Sequence, residues 1–537
     1  MGATQGPAPA CILPGVARSR PVRSLSFDRG PGVAVLPSLS SAHWPSDAYR
    51  RRELPERVLQ FGTGMLLRAI CAASVDAANR AGRFNGRVLV VQSTPHGTAP
   101  ALHAQDGLFT LVERGLCNGA PVERTRLVGA VSRALIADAQ WRAVREAVTQ
   151  PQLQVIVSNV TEAGFRLDDA VSWSADDGAA PPSFPAKLTD VLHARFARLP
   201  DGPPVYVIPT ELVPDNGARL AAMVDRVAAG APDAQRFRDW LARRVRFCSS
   251  LVDRITTGAP PERERAALEA RLGYADALLT VAEPYSFWAI EGDPDALRAA
   301  FAIDGSPESV VFAPDIGMYA ERKLRLLNGA HTALAPLALL AGARTVREAA
   351  EDPRLGPFLR RVLFDELVPR TALPAPQAQE FAASVLERFR NPWLEHEWRV
   401  IATNQTAQMR LRVAPAIERF TAGRGGGEAP LGLALACAAH LRYLRAFSGA
   451  TGWWRGATYP IVDADLALVA RHWQAVLPDS ATQPAPPAAL ERLVARALAD
   501  PALWGTSLAQ VPGFLEACRR SLVLLERDGV DAALSHD

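Results

Sequence analysis

Lysine is almost absent from this chain: of 59 Lys plus Arg in 537 residues, only Lys187 and Lys323 are lysine. Arginine keeps its proton at any ordinary pH, whereas a desolvated lysine can release one. Each lysine is therefore a candidate for proton transfer. Lys323 has chemistry around it, in the run Glu321-Arg322-Lys323-Leu324-Arg325-Leu326-Leu327-Asn328-Gly329-Ala330-His331-Thr332. Read as an α-helix, this run puts Asn328 and His331 on one face, with Lys323 about 80° from His331 and about 140° from Asn328, so that one pocket can receive all three. An amine to move a proton, an amide to donate to a developing oxyanion and an imidazole to orient either form a coherent set. Gly329 inside the pattern costs roughly 1 kcal/mol against Ala, and functional sites break local rules in this way. The plain alternative is a solvated lysine on an amphipathic helix whose histidine sits in the core.

A second candidate lies near the start. Arg57–Phe61 is a short apolar run ending in Phe61, Gly62, Thr63 and Gly64, followed by the helical pattern Met65–Arg80 and a second apolar run, Arg87–Gln92. A strand–Gly-x-Gly–helix junction aims helix N–H groups at a pyrophosphate. Leu67 stands where the third glycine of the dinucleotide fingerprint belongs, so an ordinary βα turn is the competing reading. The acid that grips the ribose hydroxyls should close the second strand. Gln92 is there instead, and with neither an acid nor an arginine the choice between NAD and NADP stays open.

The elements that must hold these residues alternate at first. Gln154–Ser158 and Val205–Ile208 are further β-rich runs, each followed by helical segments, which predicts a parallel α/β sheet. Beyond residue 300 the runs Arg322–Leu327, Thr345–Glu351, Gln377–Phe389, Leu431–Phe447, Ala464–Val476 and Pro487–Leu498 all read as helices. The expected organisation is a flexible extension over 1–50, rich in Pro, Gly, Ser and Arg, a Rossmann-type domain over 51–305 and a mostly helical domain over 306–537. Gly423–Gly427 reads as a loop, and Glu395-His396-Glu397 as a surface helix.

Composition narrows the function classes. A net charge of +3 and the lack of any Lys/Arg run disfavour nucleic-acid binding. No apolar stretch is long enough to span a bilayer, so no membrane association is expected. Six cysteines without a C-x-x-C pair, and no clustered Cys/His set or H-E-x-x-H, point to reduced thiols in a cytoplasmic protein and to no metal.

Several motifs occur in an order that is more specific than any one of them: Val58–Arg68 (VLQFGTGMLLR), Gln105–Leu111 (QDGLFTL), Ser158–Gly164 (SNVTEAG), Phe184–Thr189 (FPAKLT), Val252–Thr256 (VDRIT) and Lys323–His331 (KLRLLNGAH). Through them the chain resembles the polyol-specific long-chain dehydrogenases, the mannitol dehydrogenase and uronate reductase family, over roughly residues 55 to 450. The resemblance implies a nicotinamide-dependent enzyme with a Rossmann-type N-terminal domain and a helical C-terminal domain. It implies Lys323 as general acid/base, Asn328 as oxyanion-side donor, His331 as positioning partner, and Phe61, Gly62, Thr63, Gly64, Gln92, Ser158 and Asn159 at the cofactor. Glu211 replaces the asparagine that polyol members carry before an Asn-Gly, here Asn216-Gly217, as in the tagaturonate branch. The implied reaction moves hydride between NAD and a keto sugar acid, D-tagaturonate to D-altronate. Fructuronate or polyol 2-dehydrogenase chemistry is the alternative within the class, and a dinucleotide-binding sensor the non-enzymatic one. Lys187 matches a lysine taken as structural. A basic residue is expected near Gln408 and is missing; Arg410 and Arg412 are the possible substitutes. Oligomeric state is not readable.

Overall fold

The computed structural model describes residues 36–44, 51–160, 164–167, 173, 178–305, 309–421, 429–477 and 484–536. They form two compact units, the first ending at Ile316 and the second starting at Gly317.

The first unit is built on six parallel strands: β1 (Glu56–Phe61), β2 (Arg87–Gln92), β3 (Val131–Ile136), β4 (Val155–Ser158), β5 (Val205–Pro209) and β6 (Val245–Phe247). Their spatial order is β3-β2-β1-β4-β5-β6, the doubly wound order of dinucleotide-binding folds. The strands read as unbroken apolar runs because both faces are covered. Alternate residues enter opposite cores. Val58, Val88, Val90 and Val157 join a cluster that includes Ile70, Val75, Phe109 and Trp288. Leu59, Phe61, Leu89 and Val91 join one with Trp141, Leu188, Val224 and Trp240. The chain reverses direction across the sheet between β1 and β4, and in such sheets ligands bind beyond the carboxyl ends at that switch point.

Two smaller sheets complete this unit. One pairs Phe109–Cys117 with Ala120–Val128 and with Thr280–Ala282, to which Thr256–Gly258 adds an edge. In the other, Phe287–Glu291 lies between Ser250–Asp253 and Val310–Ala313. That last strand keeps residues 310–313 with the first unit. Part of the expected extension is also structured. Leu39 and Trp44 are buried against Leu108 and Tyr274, and Leu39 N donates to Ala275 O at 2.8 Å, so residues 36–44 are a packed flap on the Rossmann-type unit.

The second unit is mainly helical. Gly329–Leu340 and Leu431–Tyr443 are apolar on almost every side and pack on each other at its centre, as helices hydrophobic all round must. Glu366 accepts from Gly432 N and Leu433 N, both at 2.7 Å, and so caps the second of these helices. It stops at Tyr443, short of the expected Phe447, because Ala446–Ser448 turns into a three-stranded antiparallel sheet with Thr451–Trp454 and Ala457–Pro460. Glu395-His396-Glu397 is not helical either. Thr345 bridges to Glu397, and Arg344 pairs with both glutamates. The Gly423–Gly427 loop lies outside the described residues.

Cys71, Cys248, Cys437 and Cys518 are free and buried, while Cys117 is disulfide-bonded, against the expectation of reduced thiols throughout. No helix among the described residues is long and apolar enough to cross a membrane. No group of three or more potential metal ligands occurs among them.

Candidate active site

In the first unit, the residues singled out by the sequence gather at the carboxyl ends of β1, β2, β4 and β5. The glycine turn leaves β1 at the switch point. Gly62 has φ +118°, and a Cβ there would stand 2.8 Å from the carbonyl oxygen of Asn159, so only glycine fits. Gly64 differs: a Cβ on it would meet nothing within 4 Å, which leaves open space in front of the turn. Helix Met65–Leu67 starts there, widens into a π-turn over Arg68–Ala72 and continues as Ala73–Arg80. Its first N–H groups have no intrahelical partners, the condition for receiving an anion.

The frame of this turn is heavily bonded. Buried Arg68 donates to Thr63 O at 2.7 Å and to Thr280 Oγ1 at 3.0 Å. Thr98 N donates to Thr63 Oγ1 at 3.2 Å, and Thr98 Oγ1 to Thr63 O at 3.0 Å. The Phe61 ring is in the core, edge-on to Phe184, so only its backbone belongs to the turn. Gln92 is turned into its own loop, donating to Thr94 O at 3.0 Å and accepting from Ala99 N at 3.0 Å. That engagement departs from a direct grip on a ribose. Lys187 is buried close by, its Nζ 3.5 Å from Ser93 O, with its pKa lowered by burial.

Across the switch point, Asn159 N donates to Phe61 O at 3.0 Å and Asn159 Nδ2 to Thr210 Oγ1 at 3.0 Å. Glu211 is 4% exposed and accepts from Ser158 Oγ at 3.2 Å and Val160 N at 2.8 Å. Burial nonetheless raises its pKa above the usual carboxylate value. Asn216 was not singled out as functional, yet it shapes this corner. Its Nδ2 donates to Glu211 O at 2.9 Å and Ser250 O at 3.0 Å, while its Oδ1 accepts from Ser250 N at 2.9 Å. The legible signal was Gly217, whose Cβ would collide with the Ser249 backbone. Ser158, Asn159, Thr210, Glu211 and Asn216 thus form one bonded patch.

Two of the ordered motifs are scaffold. Gln105 donates to Asp276 Oδ1 at 2.8 Å, and Asp276 Oδ2 accepts from Thr110 N at 2.6 Å. Arg254 reaches Glu113, Ala69 O and Glu283 O from a fully buried position.

In the second unit, Gly317–Arg322 is α-helical, Lys323–Asn328 is a π-turn, and Gly329–Leu340 is α-helical again. This corrects the α-helical angles read from the sequence. A π-turn bonds residue i to i+5, so it brings into line residues five apart, and Lys323 and Asn328 are five apart. Such turns inside α-helices recur at functional sites. Gly329 is not forced sterically, since a Cβ there would make only ordinary contacts, the nearest at 3.6 Å to Leu324 O. Two further π-turns, Val362–Leu367 and Met409–Val413, pack against the first.

His331 is buried, its ring stacked on Phe389 with centroids 4.0 Å apart and edge-on to His396 at 5.3 Å. Burial, with the positive surroundings of His396, Arg388 and Arg412, holds its pKa well below 6.5, so the imidazole is neutral. One ring nitrogen bonds the Leu327 carbonyl and Nε2 has no partner among the described residues, which fixes Nδ1 as the donor and leaves Nε2 as a bare acceptor. A neutral ring of fixed tautomer, presenting a lone pair, can receive a hydroxyl. Near it, Gln408 accepts from Arg412 Nη1 at 2.7 Å instead of supplying the expected positive charge.

Residues 56–301 match the mannitol dehydrogenase Rossmann domain, and residues 315–524 the mannitol dehydrogenase C-terminal domain. The chain is 37% identical over 487 residues to an altronate oxidoreductase of Klebsiella pneumoniae (strain 342), covering 89% of this chain and 96% of that protein. It is 35% identical over 497 residues to an altronate oxidoreductase of Halalkalibacterium halodurans, covering 91% and 94%. Among solved structures, the Pseudomonas fluorescens mannitol 2-dehydrogenase ternary complex with NAD and D-mannitol aligns with TM-score 0.65 and 24% identity over 93% of this chain and 99% of that one. Substrate-free D-sorbitol dehydrogenase aligns with TM-score 0.72 and 21% identity over 93% and 98%. With both domain models matched in order and relatives this similar along nearly their whole length, the chain belongs to the mannitol dehydrogenase family.

Proposed function

We propose that the chain is an NAD-dependent oxidoreductase that interconverts D-tagaturonate and D-altronate. The observation that carries the reading is the π-turn that puts Lys323 and Asn328 one hydrogen-bonded turn apart, followed by a neutral His331 with an open acceptor nitrogen. The relatives named altronate oxidoreductase support the choice of substrate.

The open space before Gly64 and the uncapped helix start fit a pyrophosphate, with the Gly62–Gly64 turn and the Ser158–Asn159 end of β4 as the residues that hold the dinucleotide. Bound NAD supplies a hydride acceptor, and NADH the donor. The remaining work falls to side chains. Lys323 Nζ gives a proton to the carbonyl oxygen as the ketone is reduced and takes it back as altronate is oxidised. Asn328 Nδ2 donates to that oxygen while it carries negative charge. His331 Nε2 accepts from a substrate hydroxyl and so orients it. Glu211 accepts from hydroxyls at the end of the sugar acid away from its carboxylate, because like charges repel at close range.

The test is spectrophotometric: purified chain, NAD and D-altronate, with appearance of NADH. Turnover on altronate well above that on neutral hexitols is the expected result. Oxidation of mannitol in preference to altronate would make it a polyol dehydrogenase. NADH binding without turnover of any sugar acid or polyol would make it a sensor.

A further inference from the structure

A sugar acid brings a carboxylate that a cation would hold, and the second unit has one that no acid among the described residues neutralises. We infer that Arg412 binds the carboxylate of the substrate and so sets the preference for a sugar acid over a polyol; the inference rests on the function proposed above.

Arg412 stands on the π-turn Met409–Val413, which packs on the π-turn carrying Lys323. Arg325 clasps the two turns, donating to Leu411 O at 2.6 Å and Arg412 O at 3.1 Å. The neighbouring arginines are committed elsewhere. Arg410 pairs with Asp465 at 2.9 Å, and Arg325 and Arg419 share Glu321. Arg412 makes no ion pair among the described residues. Its Nη1 donates to two neutral oxygens, Thr332 Oγ1 at 3.1 Å and Gln408 Oε1 at 2.7 Å. Its Nε is buried without a partner, and Nη2 makes no hydrogen bond among the described residues. The side of the guanidinium fork formed by Nε and Nη2, which matches a carboxylate with two parallel bonds, is thus unengaged.

The neutral partners act as a mount. Gln408 is itself fixed by donating to Ile401 O at 2.8 Å and Thr403 O at 2.7 Å, and Thr332 follows His331 directly. An uncharged glutamine at this position orients an arginine without quenching its charge. Burial alone acts on the Arg412 pKa, lowering it, with no acid to restore it. A half-buried cation left in this state costs stability, which binding an anion relieves.

The experiment compares the full-length wild-type chain with Arg412→Leu, Arg412→Gln and Arg412→Lys, measuring kcat and KM for D-altronate and the thermal unfolding midpoint of each. Loss of a charged, paired hydrogen bond predicts a KM raised about tenfold to a hundredfold in the Leu and Gln variants, with kcat changed little. Arg412→Lys should recover much of that loss. An unchanged KM in a folded Leu or Gln variant overturns the inference. So does a loss confined to kcat, or a Lys variant no better than Leu, since either marks a structural role. If the wild-type chain fails to oxidise altronate at all, the substrate reading falls first and this inference with it.

Discussion

The glycine turn after β1 and the segment around Lys323 both interrupt an α-helix with a π-turn, but they treat their polar groups in opposite ways. Around the turn, Thr63, Asn159 and Glu211 are bonded to neighbouring loops and Gln92 to its own, and the open feature is a space where a side chain is missing. In the region of Lys323, His331 and Arg412 keep nitrogens without a hydrogen-bond partner among the described residues. A surface that binds phosphate through backbone N–H groups needs a rigid frame and an absent Cβ. A site that moves protons and orients hydroxyls needs side-chain atoms left available, and these resemble defects until a substrate is considered.

The sharpest way to separate the two regions is Lys323→Ala. It should lower kcat by about 10²-fold or more, while NADH affinity, measured by fluorescence titration, stays near wild type. Lys323→Arg should fail as well, because guanidinium does not release its proton. Near-normal turnover across the pH range would remove Lys323 from the chemistry.

The next contrast lies within the turn. Gly62→Ala forces a strained φ and a collision with Asn159, and should reduce stability by about 1–3 kcal/mol. Gly64→Val should leave the unfolding midpoint unchanged but weaken NADH binding about tenfold or more, because its side chain enters the open space. Calorimetry and titration on both variants decide the matter; equal effects on both readouts would mean that Gly62 and Gly64 do not divide into frame and cradle.

Acid should find the second unit first. His440 is fully buried with neither ring nitrogen partnered among the described residues, its pKa pushed down to about 3 by burial, and the pKa values of His331 and His396 are also lowered. The unfolded chain takes up protons below about 6.5 that these folded rings refuse, so stability present above that pH is lost as pH falls. By linkage, His440 alone removes on the order of 1 kcal/mol at about pH 5.5. Unfolding midpoints at neutral and mildly acidic pH should show the loss. His440→Leu should flatten it and raise stability at neutral pH, whereas an unaltered acid limb would rule His440 out.

The smallest effect concerns Glu211, whose pKa is raised by burial. The folded state disfavours its charge, so its contribution to stability falls as pH rises through the folded pKa and is restored at lower pH. Glu211→Gln should therefore unfold at a slightly higher temperature than wild type under alkaline conditions, the gap closing toward acid, while turnover on altronate declines. A variant less stable at every pH would mean that the bonds from Ser158 and Val160 outweigh the desolvation.

Most of the scaffold was legible because its causes are local and periodic. Apolar runs marked β1, β2, β4 and β5, and glycines marked the turn after β1. Pro487–Leu498 was found to the residue. The π-turns were not legible, because their pattern of apolar residues is that of an α-helix and the extra residue per turn is absorbed by packing. Leu39 and Trp44 were hidden in a stretch whose Pro, Gly and Arg content masks two buried anchors. Gln92 and Arg412 illustrate a deeper limit. Residue type named both, but only their hydrogen-bond partners distinguish a glutamine folded into its own loop from an arginine with an unengaged edge.

The π-turn at Lys323–Asn328 also fixes a phase. Its wide turn absorbs one residue, so everything after it is carried about 100° less far round than in an uninterrupted α-helix of the same length. From Gly329 to Leu340 almost every position is buried, so an apolar interior does not by itself choose the rotation of that helix. If the same residues closed into a plain α-helix, the helix could stay in the core while His331 swung off Phe389 and Thr332 away from Arg412. The width of that one turn, more than the identity of the residues in it, therefore sets which side chains the helix presents.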